Sequence, residues 1–331
     1  MGAFLLAAPP ASPLVFASPE FEPAEATPLD FPYWRQVTQR RYEGPSVIYL
    51  GGGFAMTARH VGVGEIFLDG EIFAPVTGSK RTLLNANGTP ADAIIFRVEG
   101  APDDAGWIAP RIAEVPPIRG EKVVLIGFGK GREEVLSFEN RGETDFAFLW
   151  SQKGSKRWGT NRVDATREIL SQSDYSTHAF SIGFERPHSA AATEHEAQAA
   201  IGDSGGGVFV HREGRWFLAG IMLSIAGQQR SPTSSTLYGD RTFVADLSFY
   251  RDQILRWTRP ACSDERDNDG DELVDFPLDP GCDAPEDADE RDSDLIDPLH
   301  GTLIGGATGG LALLMIVILL RLRLQRGKRI P

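Results

Sequence analysis

From about residue 46 onward the apolar positions come in short runs rather than long stretches. VIYLGGGFAMTA, GEIFLDGEIFAPV, DAIIFRV, KVVLIGFG, HAFSIGF, GGVFV, RWFLAGIML and TFVADL follow one another, separated by Gly, Pro, Asn and Asp. Short apolar or alternating runs bounded by turn residues predict strands, and a series of them predicts an all-β barrel or sandwich. The period changes at ADLSFYRDQILRW. There Leu247, Tyr250, Ile254 and Trp257 recur at helical spacing, which predicts one amphipathic helix closing the domain.

Composition narrows this picture. The chain has 331 residues, 41% hydrophobic and 24% charged, enough for one large domain with a sizeable core. Its net charge of −13 is local: Ser263–Asp297 holds 16 Asp and Glu against two Arg, and the rest is nearly balanced. No basic stretch interleaved with aromatics stands out, so no nucleic-acid partner is expected. The two cysteines, Cys262 and Cys282, bracket a polar, acidic loop. They suggest one disulfide made in an oxidising compartment, worth about 3 kcal/mol by chain entropy. Two free thiols in a cytosolic loop are the alternative.

The ends differ from the middle. MGAFLLAAPPASPLVFASPEFEP is apolar and broken by proline, and VFA at 15–17 has the small-residue form of a signal-peptidase site. No Lys or Arg precedes Arg35, so a signal lacking its basic start and a Pro/Ala leader both fit. At the other end, LIGGATGGLALLMIVILL (303–320) carries no charge and is followed by Arg321, Arg323, Arg326, Lys328 and Arg329. That reads as a transmembrane helix with its basic side in the cytoplasm and the long N-terminal part outside. The expected division is a leader over 1–30, a β domain over 31–258, an acidic stalk over 259–298 and an anchor with a basic tail over 299–331.

Chemistry enters with AIGDSGGG at 200–207, where Ser204 lies among glycines just before an apolar strand. A serine nucleophile needs a base, an orienting acid and bare backbone N–H groups for a developing negative charge. His60 stands in FAMTARHV and Asp92 opens ADAIIFRV, so the order along the chain is His60, Asp92, Ser204. With these residues the sequence resembles the trypsin-like (chymotrypsin-fold) serine peptidases. TARH stands where the family has T-A-A-H, DAIIFRV is similar to D-I-A-L-L, and GDSGGG to G-D-S-G-G-P with Gly207 in place of proline. IGFG at 126–129 is similar to the family's G-W-G, and FVADLSFYRDQILRW to its last strand and helix. The resemblance covers about residues 40–258.

It implies a double β-barrel with a C-terminal helix, and cleavage of protein or peptide substrates without a cofactor. Ser204 would attack the scissile carbonyl, His60 would carry the proton, and Asp92 would hold the imidazole. The N–H groups of Gly202 and Ser204 would form the oxyanion hole, while Asp203 would be buried and brace that loop. Gln198, six residues before the serine, would sit at the base of a neutral substrate pocket. Ser224 in LSIAG would line the cleft near Asp92. The family's I-V-G-G start is absent, which leaves open what holds Asp203. The letters G-x-S-x-G also fit the nucleophile elbow of α/β-hydrolases. That elbow requires an apolar strand before the serine and a later Asp and His, whereas EHEAQAA precedes it and only His211 and His300 follow.

In the acidic segment Asp267, Asp269, Asp271 and Asp275 surround Gly270. Clustered carboxylates suit Ca²⁺. The spacing misses an EF-hand, since Phe276 falls where the bidentate Glu belongs, and is similar to the D-x-D-G-D loops of thrombospondin type 3 repeats. A solvated acidic spacer is the alternative. The expectation is thus a serine endopeptidase anchored outside the cytoplasm by a C-terminal transmembrane helix, with a calcium-binding stalk. The rival is an inactive domain of the same fold serving as a surface binding or adhesion module.

Overall fold

The computed structural model describes residues 14–18, 27, 28, 30–41, 44–102, 107–140, 143–227, 234–284, 287, 290 and 291. Among them, six antiparallel strands close a barrel in the order Arg157–Ser171, Ser176–Gly183, Arg241–Asp246, Arg215–Ala226, Gly207–Arg212 and Lys122–Gly127. Five more form a sheet in the order Val37–Gln39, Ser46–Gly51, Phe54–Thr57, Pro90–Arg97 and Arg81–Leu84.

The barrel strands and the sheet strands share one seam, and the side-chain alternation shows how. Val123 and Leu125 join a cluster with Val208 and Val210, all from barrel strands. Val47, Tyr49, Ile94 and Phe96 join a cluster within the sheet. The intervening residues Val124, Ile126, Phe209, Ile48, Met56, Ala93 and Ile95 meet in a third cluster drawn from both. Each of these strands therefore buries both faces, which is why the sequence reads as unbroken apolar runs there. Full burial of one such side chain contributes about 1.5–3 kcal/mol.

The N-terminal half departs from the expected second barrel, because its ladder does not close. The hairpin Ile66–Leu68 and Glu71–Phe73 stands apart from the five-stranded sheet. Isolated bridges, Arg40 with Ile66 and Pro75 with Val98, and a few backbone hydrogen bonds tie this region to the sheet without a continuous ladder among the described residues. Strands of three residues around the Asp69-Gly70 turn, both at positive φ, are too short to make a continuous ladder.

The predicted helix forms over Leu247–Thr258, with Asp246 as its N-cap accepting from Ser248 N–H. Leu247, Tyr250 and Ile254 enter the shared seam, and Trp257 packs against it partly exposed. Two long hairpins, Lys130–Asn140 with Glu143–Gly154 and Arg157–Ser171 with Ser176–Gly183, are features the apolar pattern did not delimit. Among the described residues no helix is long and apolar enough to cross a membrane, and the segment 303–320 lies outside them. VFA at 15–17 is folded into the domain rather than preceding it: Val15–Phe16 pairs with Ala197–Gln198, and Ala17 N–H donates to the Glu196 carbonyl.

Candidate active site

His60 follows the Phe54–Thr57 strand, and Asp92 lies in the neighbouring Pro90–Arg97 strand. Pairing of these strands sets the two residues side by side. The His60 ring Nδ1 lies 2.7 Å from Asp92 Oδ2, and His60 N–H donates to Asp92 Oδ1 at 2.9 Å. The Asp92 side chain is 2% exposed and that of His60 is 41% exposed. A buried carboxylate on Nδ1 selects the tautomer with its proton there, leaving Nε2 as the basic nitrogen.

Ser204 is half-buried in the loop before the Gly207–Arg212 strand. Its hydroxyl donates to the Leu223 carbonyl at 3.3 Å and makes no hydrogen bond to His60 in this rotamer. The surrounding backbone is more telling. N–H groups of Asp203, Gly205 and Gly206 donate to the carbonyls of Ala200, Met222 and Asp203, while those of Gly202 and Ser204 have no acceptor among the described residues. The carbonyl of Gly202 is turned away from Ser204 and accepts from Ser46 N–H and Oγ. This requires glycine: Gly202 has φ +97, and a Cβ would meet the Gly129 Cα at 3.0 Å.

Asp203 is fully buried, and three backbone N–H groups hold its carboxylate. Gly129 donates to Oδ1 and Ala200 to Oδ2, each at 2.8 Å, and Leu14 supplies the third. Burial pushes its pKa up to about 7 against the pull of those donors. The IGFG motif acquires its reason here, since a Cβ on Gly129 would sit 2.5 Å from the Asp203 carboxyl carbon. The Leu14 contact answers what braces Asp203 without an I-V-G-G start. No motif marks it, because it joins residues 189 positions apart in sequence through one strand of two residues.

Ser204 and Ser224 open on the same cavity of about 240 Å³, together with Trp150, Ala199, Ala200, Ile201, Met222, Leu223 and Ile225. No charged side chain lines it. Gln198 does not line this cavity; pairing with Val15 puts it in the interior, where both its amide atoms lack partners. Ser224 is exposed, and Asp92 finds other neighbours. Asp92 N–H donates to Thr177 Oγ1 at 2.8 Å. Burial first, and then the charge of Asp92, raise the Tyr175 pKa. Tyr175 sits at a hairpin tip that Arg59, paired with Asp174, ties to the His60 segment. The sequence analysis missed Thr177.

In the acidic segment Cys262 and Cys282 are disulfide-bonded. The carboxylates of Asp267, Asp269 and Asp271 gather within 4.8 Å of one another. Asp275 does not join them. Its two oxygens accept from Asp264 and Glu265 N–H instead.

No family model matches the chain, and no curated relative does. Solved structures do. Mouse neuropsin, a serine protease expressed in the limbic system of the brain, is 13% identical over 70% of this chain and 97% of its own, with a TM-score of 0.45. The chain is similar to trypsin-like serine proteases. The MamO protease domain from Magnetospirillum magneticum is 16% identical over 66% of this chain and 95% of its own, at a TM-score of 0.37. A mutant of human heparin binding protein is 14% identical over 69% of this chain and 92% of its own, at 0.45. Likeness at these identities concerns the fold, so the chemistry rests on the geometry above.

Proposed function

We propose that the protein is a serine endopeptidase acting through His60, Asp92 and Ser204. Two observations carry the reading: a buried carboxylate, Asp92, holds the His60 ring, and the N–H groups of Gly202 and Ser204 find no acceptor among the described residues. In this reading the Ser204 hydroxyl leaves the Leu223 carbonyl and gives its proton to His60 Nε2. Oγ then attacks the scissile carbonyl carbon while His60 takes the proton. The resulting oxyanion accepts from Gly202 and Ser204 N–H, where each donor contributes about 10²–10³ in rate. His60 returns the proton to the leaving amine as the C–N bond breaks, giving an acyl-enzyme. Water, deprotonated by His60, hydrolyses the ester and restores Ser204. Asp92 holds the imidazole and stabilises the imidazolium.

The cavity beside Ser204 suits an uncharged apolar side chain on the acyl side of the cleaved bond, because Ala199, Ala200, Leu223 and Ile225 offer it no counter-charge. We place the domain outside the cytoplasm, held by 303–320 with the basic 321–329 tail inside. The test is incubation of the full chain with an unfolded protein, with mass-spectrometric mapping of new termini. Cleavage after apolar residues that is lost in Ser204→Ala supports the proposal. A folded wild-type protein that cuts nothing leaves the binding-module reading.

A further inference from the structure

The cavity beside Ser204 has one wall that comes from outside the barrel. The loop before Ser204 and the strand Arg215–Ala226 line it with small and aliphatic side chains such as Ala200 and Leu223. The remaining wall is Trp150, from the long hairpin of Lys130–Asn140 with Glu143–Gly154. Among the described residues it is the one aromatic side chain lining the cavity.

The indole is held in place. Its Nε1–H donates to Thr236 Oγ1 at 2.9 Å, and Thr236 is fully buried in the adjoining strand Ser235–Leu237. The Trp150 N–H donates to the Ser234 carbonyl, also at 2.9 Å. The ring packs, partly buried, against a cluster that includes Phe148, Tyr238 and Ala200. Ala200 lines the cavity as well, so cavity and cluster share a wall. The hairpin ladder shifts register on either side of the Arg132–Trp150 pair, and such bulges re-aim a side chain. A wall fixed in this way exists before a substrate arrives and loses little freedom on binding.

We propose that Trp150 makes this pocket select an aromatic side chain on the acyl side of the cleaved bond, a role that rests on the endopeptidase reading of Ser204. The space suffices: an apolar cavity of about 150 Å³ already holds benzene, and this one measures about 240 Å³. A methyl or a short aliphatic side chain leaves more of it empty. A ring packed edge-to-face or offset on the indole adds about 2- to 12-fold to binding beyond the area it buries.

The test is hydrolysis, by the full chain, of two peptide p-nitroanilides that differ only in the last residue, phenylalanine or leucine. Wild type favours phenylalanine in kcat/KM by about tenfold. Trp150→Phe keeps most of that preference, and Trp150→Leu reduces it to about twofold or less. Both variants lose the bond to Thr236, so the difference between them reports on the ring. Equal rates on the two peptides in wild type, or an unchanged preference in Trp150→Leu, overturn the role of Trp150. The wild-type ratio decides even where Trp150→Leu does not fold. Fluorophosphonate labelling of Ser204 keeps the two readings apart. Labelling without a preference for phenylalanine counts against Trp150 alone, whereas a folded wild type that neither labels nor hydrolyses either peptide removes both.

Discussion

Replacing Asp92 with Asn changes two atoms and tests the proton path directly. In the wild type both carboxylate oxygens are occupied, Oδ2 by the His60 ring and Oδ1 by His60 N–H. An amide has one acceptor oxygen. With that oxygen on His60 N–H, the NH₂ group faces Nδ1 and donates to it. The imidazole proton then moves to Nε2, toward the serine, where a lone pair is required. In the opposite orientation the NH₂ group meets the His60 N–H, two donors face to face about 2.9 Å apart. The first arrangement is the more stable and gives a folded protein with an inverted tautomer. The transition state also loses the charge that balances the imidazolium. Loss of tautomer and charge at such a site reduces rate by about 10⁴, equivalent to about 5.5 kcal/mol of barrier. The assay is the second-order rate of labelling by a fluorophosphonate, read from intact mass, with circular dichroism as the check on folding. A folded Asp92→Asn that labels within about tenfold of wild type refutes the role given to this hydrogen bond.

Other consequences follow from the same geometry. Glu196 is buried, and desolvation pushes its pKa up to about 7 from 4.5 despite the Thr193 and Glu185 donors. Its folded pKa exceeds the unfolded one, so the stability it confers is full below pH 4.5 and lost as pH rises through 7. Glu196→Gln therefore gains about 3 kcal/mol relative to wild type between those limits in urea unfolding, and parallel pH curves count against it. Gly205→Ala places a Cβ 2.1 Å from Thr57 Oγ1 and 2.3 Å from the Ser46 carbonyl, whereas Gly70→Ala has a similar φ and nothing within 4 Å. The first costs about 3 kcal/mol or more and the second about 1; equal shifts in the urea midpoint show that contact at Gly205 does not matter.

Much of this was legible because it is local. His60, Asp92 and Ser204 each stand in a short motif, and the strand pairing that joins the first two lies in apolar runs buried on both faces. The helix announced itself through Leu247, Tyr250 and Ile254. What stayed hidden depends on distant chain meeting at one point. The Leu14 N–H on Asp203 and the Thr177 hydroxyl that accepts from Asp92 N–H come from segments without a pattern of their own. Gln198 was placed in the substrate pocket by counting back from the serine, but its pairing with Val15 turns it inward. Asp275 was grouped with Asp267, Asp269 and Asp271 by spacing, and only the folded loop shows its two oxygens taken by Asp264 and Glu265 N–H.

The central claim is that the loop and the histidine make Ser204 reactive. Peptide mapping of the full chain after treatment with a fluorophosphonate measures this most directly. The account predicts one adduct, on Ser204, absent from folded His60→Ala. An unmodified Ser204 in a folded wild-type protein, or an adduct that survives loss of His60, contradicts it.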